Sequence, residues 1–111
     1  MTIKELAEIC GFTPVYVGEL ADREVSGAYA CDLLSWVIGR AKENNALVTV
    51  MTNVNVVAVA AMADLSCIIL SEGVVLDANA LERAEQNDIP VLSSAMTTYE
   101  TCVAISKAFE K

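Results

Sequence analysis

The longest apolar region of the chain runs from residue 46 to residue 70. Two short runs rich in β-branched residues, Leu47–Val50 and Cys67–Leu70, flank a segment of helical length made mostly of valine and alanine. This order is typical of a strand, a crossover helix and a parallel strand. Asn53 is a good N-cap for the helix, which runs from Val54 to about Ala63 and is apolar on nearly every side. We therefore expect this helix to be buried on most sides.

The same region is not interpreted as a membrane span, because polar residues interrupt it. Asn53, Asn55 and Asp64 fall inside it, and an aspartate near the bilayer centre costs about 2.5–3.5 kcal/mol. A buried core is the better interpretation. The N-terminus also lacks the apolar segment of a signal peptide, so we expect a cytoplasmic protein with reduced thiols.

Helical and extended patterns alternate on both sides of this region. The predicted flanking elements are a capped docking helix within residues 1–12, a strand at Val15–Val17, a short strand or structured loop at Glu24–Gly27, a helix from Ala28 to Ala41, a helix from Ala78 capped by Asp77, a strand at Val91–Leu92, and a last helix after the capping box Thr97–Glu100. The apolar stripe of the helix at residues 28–41 would include Leu33, Leu34, Val37 and Ile38. This alternation predicts one α/β domain over residues 1–111, with three α/β/α layers around a mostly parallel sheet.

Composition adds an expectation about assembly. Hydrophobic residues make up 55% of the 111 residues, and the mean hydropathy is +0.48. A small domain has much surface to cover with polar groups, so this excess favours a homo-oligomer that buries one apolar face against a copy of itself. We expect a homodimer. The alternative is a monomer in which the strands and one helix are buried on all sides.

The charge of the chain limits which partners and which kinds of catalysis we expect. The formal net charge is −8, and the few basic residues are scattered. A chain this acidic repels phosphate backbones, so we expect no nucleic-acid binding. The absence of histidine from the sequence removes imidazole acid–base catalysis and the commonest metal ligand.

The four cysteines do not form a metal-binding pattern. They stand at positions 10, 31, 67 and 102, without the two-residue spacing of zinc, iron–sulfur or thioredoxin-like sites. We therefore expect no metal and no cofactor. An iron–sulfur protein is kept as the weakest alternative.

Two groups of polar residues are candidates for ligand binding. Ser26 and Gly27 precede a predicted helix and are a weak candidate for a phosphate cradle, although neither the Walker nor the dinucleotide glycine pattern is present. A tight loop that leads into the helix is the favoured structural interpretation, with Asp22 and Arg23 anchoring it.

The second group follows predicted strands. Its members are Thr52, Asn53, Asn55, Ser93 and Ser94. Open α/β sheets bind ligands outside the carboxyl ends of their strands, and both groups are expected to line one common rim there. Asn53 as a plain helix cap is the simpler alternative. No nucleophile–base pair accompanies these residues, which argues against an enzyme.

Several blocks of the sequence resemble the DRTGG domain family. The blocks are residues 22–29 (Asp-Arg-Glu-Val-Ser-Gly-Ala-Tyr), Asp32–Ser35, Thr52–Ala60, Ile68–Gly73, and Ile89–Leu92 through Thr98–Glu100. The resemblance covers the chain from about residue 13 onward. The name-giving motif itself differs, because Glu24 and Val25 separate Asp-Arg from Ser-Gly, serine replaces threonine, and Ala28 replaces the second glycine.

The resemblance implies a fold similar to the N-terminal domain of HPr kinase/phosphatase. DRTGG domains also occur in CBS-domain pyrophosphatases and phosphotransacetylase-like proteins, where they regulate or assemble dimers while other domains catalyse. Some stand-alone copies are encoded beside iron-only hydrogenase genes. The resemblance therefore implies a non-catalytic regulatory or oligomerisation module that senses a small phosphorylated or nucleotide ligand or contacts a protein partner, for example in a hydrogenase-associated system. A small enzyme or nucleotide-binding protein that uses the same rim is the alternative.

Overall fold

The computed structural model of the protein describes residues 1–110 and shows alternating helices and strands. In chain order the elements are α1 (Ile3–Cys10), β1 (Thr13–Tyr16), β2 (Gly27–Ala30), α2 (Leu34–Arg40), β3 (Asn45–Thr49), α3 (Val54–Met62), β4 (Cys67–Leu70), α4 (Ala78–Gln86), β5 (Val91–Ser93) and α5 (Thr98–Phe109).

The strands form one mostly parallel sheet, as the alternating pattern predicts. Their spatial order is β1-β5-β4-β3-β2. Strands β2 to β5 run parallel, and β1 is added antiparallel beside β5. The strand–helix–strand unit expected in the long apolar region is present as β3, α3 and β4, with Ala46 beside Cys67 and Thr49 beside Leu70.

Helices cover both faces of the sheet. One core cluster joins side chains of β3, β4 and β5 to α2, α3 and α4, and a second joins the same strands to α1 and α5. Successive residues of β3 alternate between them, with Leu47 in the first cluster and Val48 in the second. Strands that are buried on both faces have sequences that are apolar at nearly every position. The three-layer α/β/α prediction is confirmed.

Helix α3 is buried on one side only. The side-chain oxygen of Asn53 accepts a hydrogen bond from the amide of Asn55 at 3.0 Å, so the predicted cap is confirmed. Val56 and Val57 are buried, whereas Met62 on the outer side is 69% exposed. The prediction of burial on most sides is wrong for this outer side, because α3 lies in the helix layer between α2 and α4 and nothing in the described chain covers it.

Side-chain caps decide where several helices begin. Thr2 and Glu5 form a reciprocal capping box at α1, and Thr97 and Glu100 form another at α5, as predicted. Asp77 occupies the N-cap position of α4, but its side chain makes no capping hydrogen bond. Asp77 is therefore at the predicted N-cap position, but the capping hydrogen bond expected of its side chain is absent.

The helix predicted from Ala28 is wrong in its first part. Gly27–Ala30 forms β2, which pairs with the first four residues of β3, and α2 begins only at Leu34. Alanine favours helices locally, but pairing with an adjacent buried strand outweighs that preference. Because α2 is short, Leu33 and Ile38, which were expected to point inward, are 52% and 46% exposed.

The first strand also differs from its prediction. It covers Thr13–Tyr16 instead of Val15–Val17 and therefore includes Pro14. A proline, which has no N–H to donate, is tolerated because β1 lies at the edge of the sheet. Among residues 1–110 no helix is long and apolar enough to span a membrane.

Candidate ligand-binding cleft

The residues predicted to form one binding rim lie on opposite edges of the sheet. At the amino ends of the strands are Asp22, Arg23, Ser26 and Gly27, and at the carboxyl ends are Thr52, Asn53, Asn55, Ser93 and Ser94. Gly27 pairs with Asn45 at the start of two parallel strands, whereas Thr52 follows the end of one of them. The prediction of a single common rim is wrong, because the Ser26–Gly27 segment enters a strand and not a helix.

Ser26 and Gly27 therefore do not make a phosphate cradle of the helix-entry type. The Ser26 hydroxyl donates to the carbonyl oxygen of Glu43 at 3.0 Å and accepts from Nδ2 of Asn45 at 3.3 Å. These bonds connect the start of β2 to the turn that precedes β3. A side chain added at Gly27 would meet Nδ2 of Asn45 at an ordinary 3.5 Å, so the space there does not demand glycine.

At the carboxyl edge, the polar groups are bonded to one another. Oδ1 of Asp32 accepts from the hydroxyl of Thr49 at 2.7 Å and from the amide of Val50 at 3.0 Å. The hydroxyl of Ser94 lies 2.9 Å from that of Thr101, and both are buried. No buried side-chain nitrogen or oxygen among the described residues lacks a partner. These interactions give the edge a structural role without any ligand.

The start of α5, at the same edge, is also occupied. Oε2 of Glu72 accepts from the amide of Thr98 at 2.6 Å, and the hydroxyl of Ser71 lies 2.7 Å from that of Thr98. An acidic side chain thus lies where the helix dipole favours negative charge. Sequence reasoning missed Asp32, Ser71 and Thr98. Ser71 directly follows β4 and Asp32 comes two residues after β2, and the ends of strands are where α/β sheets place polar rim residues.

A cleft of about 450 Å³ opens at the amino edge. It is lined by Arg23, Glu43, Asn44, Ala60, Ala61, Asp64, Leu65, Asn87, Asp88 and Ile89. Of the predicted site residues, only Arg23 lines this cleft. The remaining polar lining comes from the segments in which a helix ends and the next strand begins. We call it the Arg23 cleft.

Arg23 contributes the positive charge of the cleft. It is partly buried, and its Nη1 donates to the carbonyl oxygen of Ser66 at 3.4 Å. Its backbone carbonyl accepts from the amide of Ile3, which fixes the segment against α1. Among residues 1–110 no carboxylate lies within 4 Å of its guanidinium. A guanidinium carries several N–H donors in a planar fork, so most of them are free to bind an incoming group.

Three other polar residues of the cleft have a left-handed backbone conformation. Asn44, Asp64 and Asp88 have φ values of 65°, 53° and 54°. Asparagine and aspartate adopt this left-handed conformation more readily than most residues. Asp64 and Asp88 follow the ends of α3 and α4, where the helix dipoles are negative. The cleft therefore places one guanidinium among carboxylates and helix carboxyl ends.

Tyr16 extends this polar region beyond the cleft. Its hydroxyl donates to Oδ1 of Asp88 at 3.2 Å. The pKa of Tyr16 is raised, first by loss of hydration and then by the hydrogen bond to Asp88 and the nearby negative charges. The phenol consequently stays protonated and holds the Asp88 carboxylate in place.

The Cys67 thiol is not among the groups that line the cleft. Cys67 is fully buried, and burial raises its pKa to about 12, although the charge of Arg23 acts in the opposite direction. A thiol with that pKa is a poor nucleophile at neutral pH. In the part of the chain that the structure describes, no group of three or more cysteine, aspartate or glutamate side chains is arranged to hold a metal ion.

Comparison with known proteins assigns the chain to a family. The family model described as "DRTGG domain" matches residues 6–108. The chain belongs to the DRTGG domain family. The match begins at Leu6, inside α1. No curated protein matches the chain.

A solved structure shares the fold. It contains the CBS and DRTGG domains of the regulatory region of a Clostridium perfringens pyrophosphatase, complexed with its activator, diadenosine tetraphosphate. The TM-score is 0.72 at 12% sequence identity, over 96% of this chain and 46% of that chain. The chain thus spans slightly under half the length of its structural neighbour. At this identity the likeness shows the α/β/α fold.

Proposed function

We propose that this DRTGG domain is a non-catalytic, cytoplasmic regulatory module that forms a homodimer and binds a small phosphorylated or nucleotide ligand in the Arg23 cleft. The observation that carries the ligand part is Arg23 itself, a partly buried guanidinium without a carboxylate partner in a polar cleft of about 450 Å³. Binding sites for small molecules typically have volumes of roughly 300–1,000 Å³.

The composition of the cleft favours a ligand with one anionic end and several hydroxyl or amino groups. A phosphate group would accept hydrogen bonds from the fork of Arg23. Hydroxyl or amino groups of the same ligand would donate to the carboxylates of Glu43, Asp64 and Asp88. A long polyphosphate fits less well, because these carboxylates and the net charge of −8 repel it. A nucleoside monophosphate or a sugar phosphate matches this polarity.

The family and the structural neighbour support the regulatory part. The neighbour is a regulatory region that contains a DRTGG domain and is complexed with a nucleotide activator. The absence of a nucleophile–base pair at the cleft in residues 1–110 supports a binding role in place of catalysis.

A second candidate function is a small enzyme or nucleotide-binding protein that uses the carboxyl edge. The position of Thr52, Asn53, Asn55 and Ser93 past the strand ends favours it, since that is where α/β sheets usually bind ligands. It ranks second because Asn53 and Ser94 already form hydrogen bonds within the chain. An accessory protein of a hydrogenase-like system ranks third and predicts a protein partner instead of a small ligand.

Calorimetric titration with adenine mononucleotides, acyl phosphates and sugar phosphates tests the ligand proposal. At least one compound of this set is expected to bind the wild-type protein, and Arg23→Gln is expected to weaken it about tenfold or more, the effect of losing a charge-assisted bond. Arg83→Gln, an exposed arginine on α4 outside the cleft, is the matched control and should bind normally.

The same titration separates the two edges. Loss of binding in Asn55→Ala/Ser93→Ala with normal binding in Arg23→Gln would move the site to the carboxyl edge. Absence of heat with every compound would contradict the ligand proposal as a whole.

A further inference from the structure

The two outer edges of the sheet differ in how they are protected. Strand β1, at one edge, contains Pro14, and its register with β5 shifts between Pro14 and Tyr16. Proline and irregular register are common devices that prevent an edge strand from pairing with another chain. Strand β2, at the other edge, pairs regularly with β3 through all of its residues and has no proline and no charge. Within residues 1–110 its outer side has no strand partner.

One face of β2 is also uncovered. Ala28 and Ala30 are exposed and lie beside α5, where a groove of about 420 Å³ runs between strand and helix. The groove is lined by Ser26, Gly27, Ala28, Ala30, Cys102, Ile105, Ser106 and Phe109. On this side of the sheet only α1 and α5 contribute to the core cluster, whereas three helices contribute on the other side. We call β2 and this groove the β2-edge surface.

The helix at this edge on the opposite face also exposes apolar residues. Helix α2 packs against α3 and is the last helix of its layer. Its Trp36 is 47% exposed and stacks under Arg40, whose guanidinium carbon lies 3.8 Å from the ring centroid. Leu33, between β2 and α2, is exposed as well. Apolar side chains are therefore available on both sides of the open strand.

The chemistry of this surface specifies its occupant. Free N–H and C=O groups along an edge strand are matched by another extended strand. On a protein of net charge −8, residues 26–31 form an uncharged segment, along which two acidic copies can approach closely. Antiparallel pairing about a two-fold axis through Tyr29 would place Ala28 opposite Ala30 of the other copy on the α5 side, where the strands meet without a large or charged side chain. On the opposite face of the strand, Tyr29 would lie beside its own counterpart.

We propose that the β2-edge surface binds the same surface of a second copy, joining two sheets into one across a two-fold axis. The pairing is isologous and uses the only unprotected edge described in each copy, so it closes at the dimer. This inference rests on the homodimer part of the proposed function and names the surface that forms it. The ligand part does not depend on it.

Sedimentation equilibrium of the wild-type protein and two lysine variants tests the surface. Ala28→Lys puts a charge on the β2 edge, and Val15→Lys puts the same charge on an exposed position of the β1 edge. The wild type and Val15→Lys are expected to sediment at twice the chain mass of 11.8 kDa. Ala28→Lys is expected to raise the dimer dissociation constant at least about tenfold.

The outcomes test separately whether the protein dimerises and whether the β2-edge surface forms the dimer. A monomeric wild type would overturn both the homodimer and this inference. If Ala28→Lys remains a dimer, whether or not Val15→Lys dissociates, the proposed surface is wrong but the homodimer is not. Calorimetric titration of the same samples reports on the Arg23 cleft independently of assembly.

Hydrogen exchange of the wild-type protein covers the case in which Ala28→Lys does not fold. The amides of residues 27–30 are expected to exchange more slowly at high than at low protein concentration, while those of residues 13–16 on the other edge are unchanged. Equal exchange of residues 27–30 at both concentrations, in a protein that does dimerise, would overturn the proposal.

Discussion

Single residues in this domain are explained by backbone conformation and burial before any role in binding is needed. Asp64 and Asp88 occupy left-handed positions after α3 and α4, a sufficient reason for finding aspartate there. Arg23 has no such reason. A partly buried guanidinium without a carboxylate partner costs hydration and gains one weak hydrogen bond, which makes it the residue whose presence a ligand explains best.

Replacing Asp64 separates its backbone role from its charge. Asp64→Gly should leave the free energy of unfolding unchanged or slightly higher, because glycine accepts the φ of 53°. Asp64→Ala should lower the free energy of unfolding by about 1 kcal/mol, since alanine is strained in the left-handed conformation. Urea unfolding of both variants measures the difference. Equal stabilities would show that the carboxylate, and not the backbone, determines this position.

Burial of Cys67 predicts a loss of stability at alkaline pH. Its pKa is raised from 9.0 to about 12 in the folded protein, so the unfolded chain releases the thiol proton first as the pH rises. The contribution is complete below pH 9 and is lost between pH 9 and 12, at up to about 1.4 kcal/mol per pH unit.

Denaturant unfolding at a series of pH values measures this effect. Cys67→Ala serves as the comparison, because it retains the other alkaline titrations, including that of Tyr16, whose pKa is also raised. The wild type should lose stability more steeply than Cys67→Ala above pH 9. Parallel slopes would mean that the Cys67 thiol becomes accessible to water before the protein unfolds.

At the scale of elements, local sequence determines the helix starts and tertiary pairing determines the edge strand. The threonines of the two capping boxes each satisfy an amide of their own helix, so Thr2 and Thr97 predict α1 and α5 correctly from sequence. Residues 27–30 carry no such local signal. Glycine and alanine are compatible with several conformations, and only the neighbouring β3 makes this segment a strand.

The two helix starts at Thr97 and Asp77 give a direct comparison. Thr97→Ala removes a hydroxyl that accepts from the amide of Glu100 at 3.1 Å and should cost about 1 kcal/mol of stability. Asp77→Ala removes a side chain without a capping bond and should cost only a few tenths, about the effect of its charge on the helix dipole. Thermal or urea unfolding measures both. A larger loss for Asp77→Ala would indicate that its side chain caps α4 in solution.

The site was less predictable than the fold. The apolar runs predicted the central β3–α3–β4 unit and the three layers because the buried positions of these elements carry apolar side chains that are visible in the sequence. The Arg23 cleft is assembled by segments from four regions of the chain, each of which ends one element and begins another. Asn44 and Asp88 look like ordinary turn residues in sequence, and only the parallel order of the strands brings them together with Arg23.

At the scale of the whole molecule, the negative charge opposes the assembly that the β2-edge surface favours. Two copies of net charge −8 repel each other over distances that salt screens effectively, since the Debye length falls from about 30 Å at 0.01 M to about 10 Å at 0.1 M. The dimer dissociation constant should therefore decrease as salt is raised. Sedimentation velocity across that range measures it, and a dimer that weakens with salt would point to an interface of ion pairs instead of an uncharged strand edge.

The antiparallel strand β1 has a consequence for how the chain reaches its fold. Because Thr13 pairs with Ser93, the earliest strand must wait for the latest one, and the loop that closes is roughly 80 residues long. During synthesis, β2, β3 and β4 can pair in order as they emerge, while β1 remains without its partner strand β5. The pairing of β1 with β5 then comes last, and removal of either strand should leave that step unfinished.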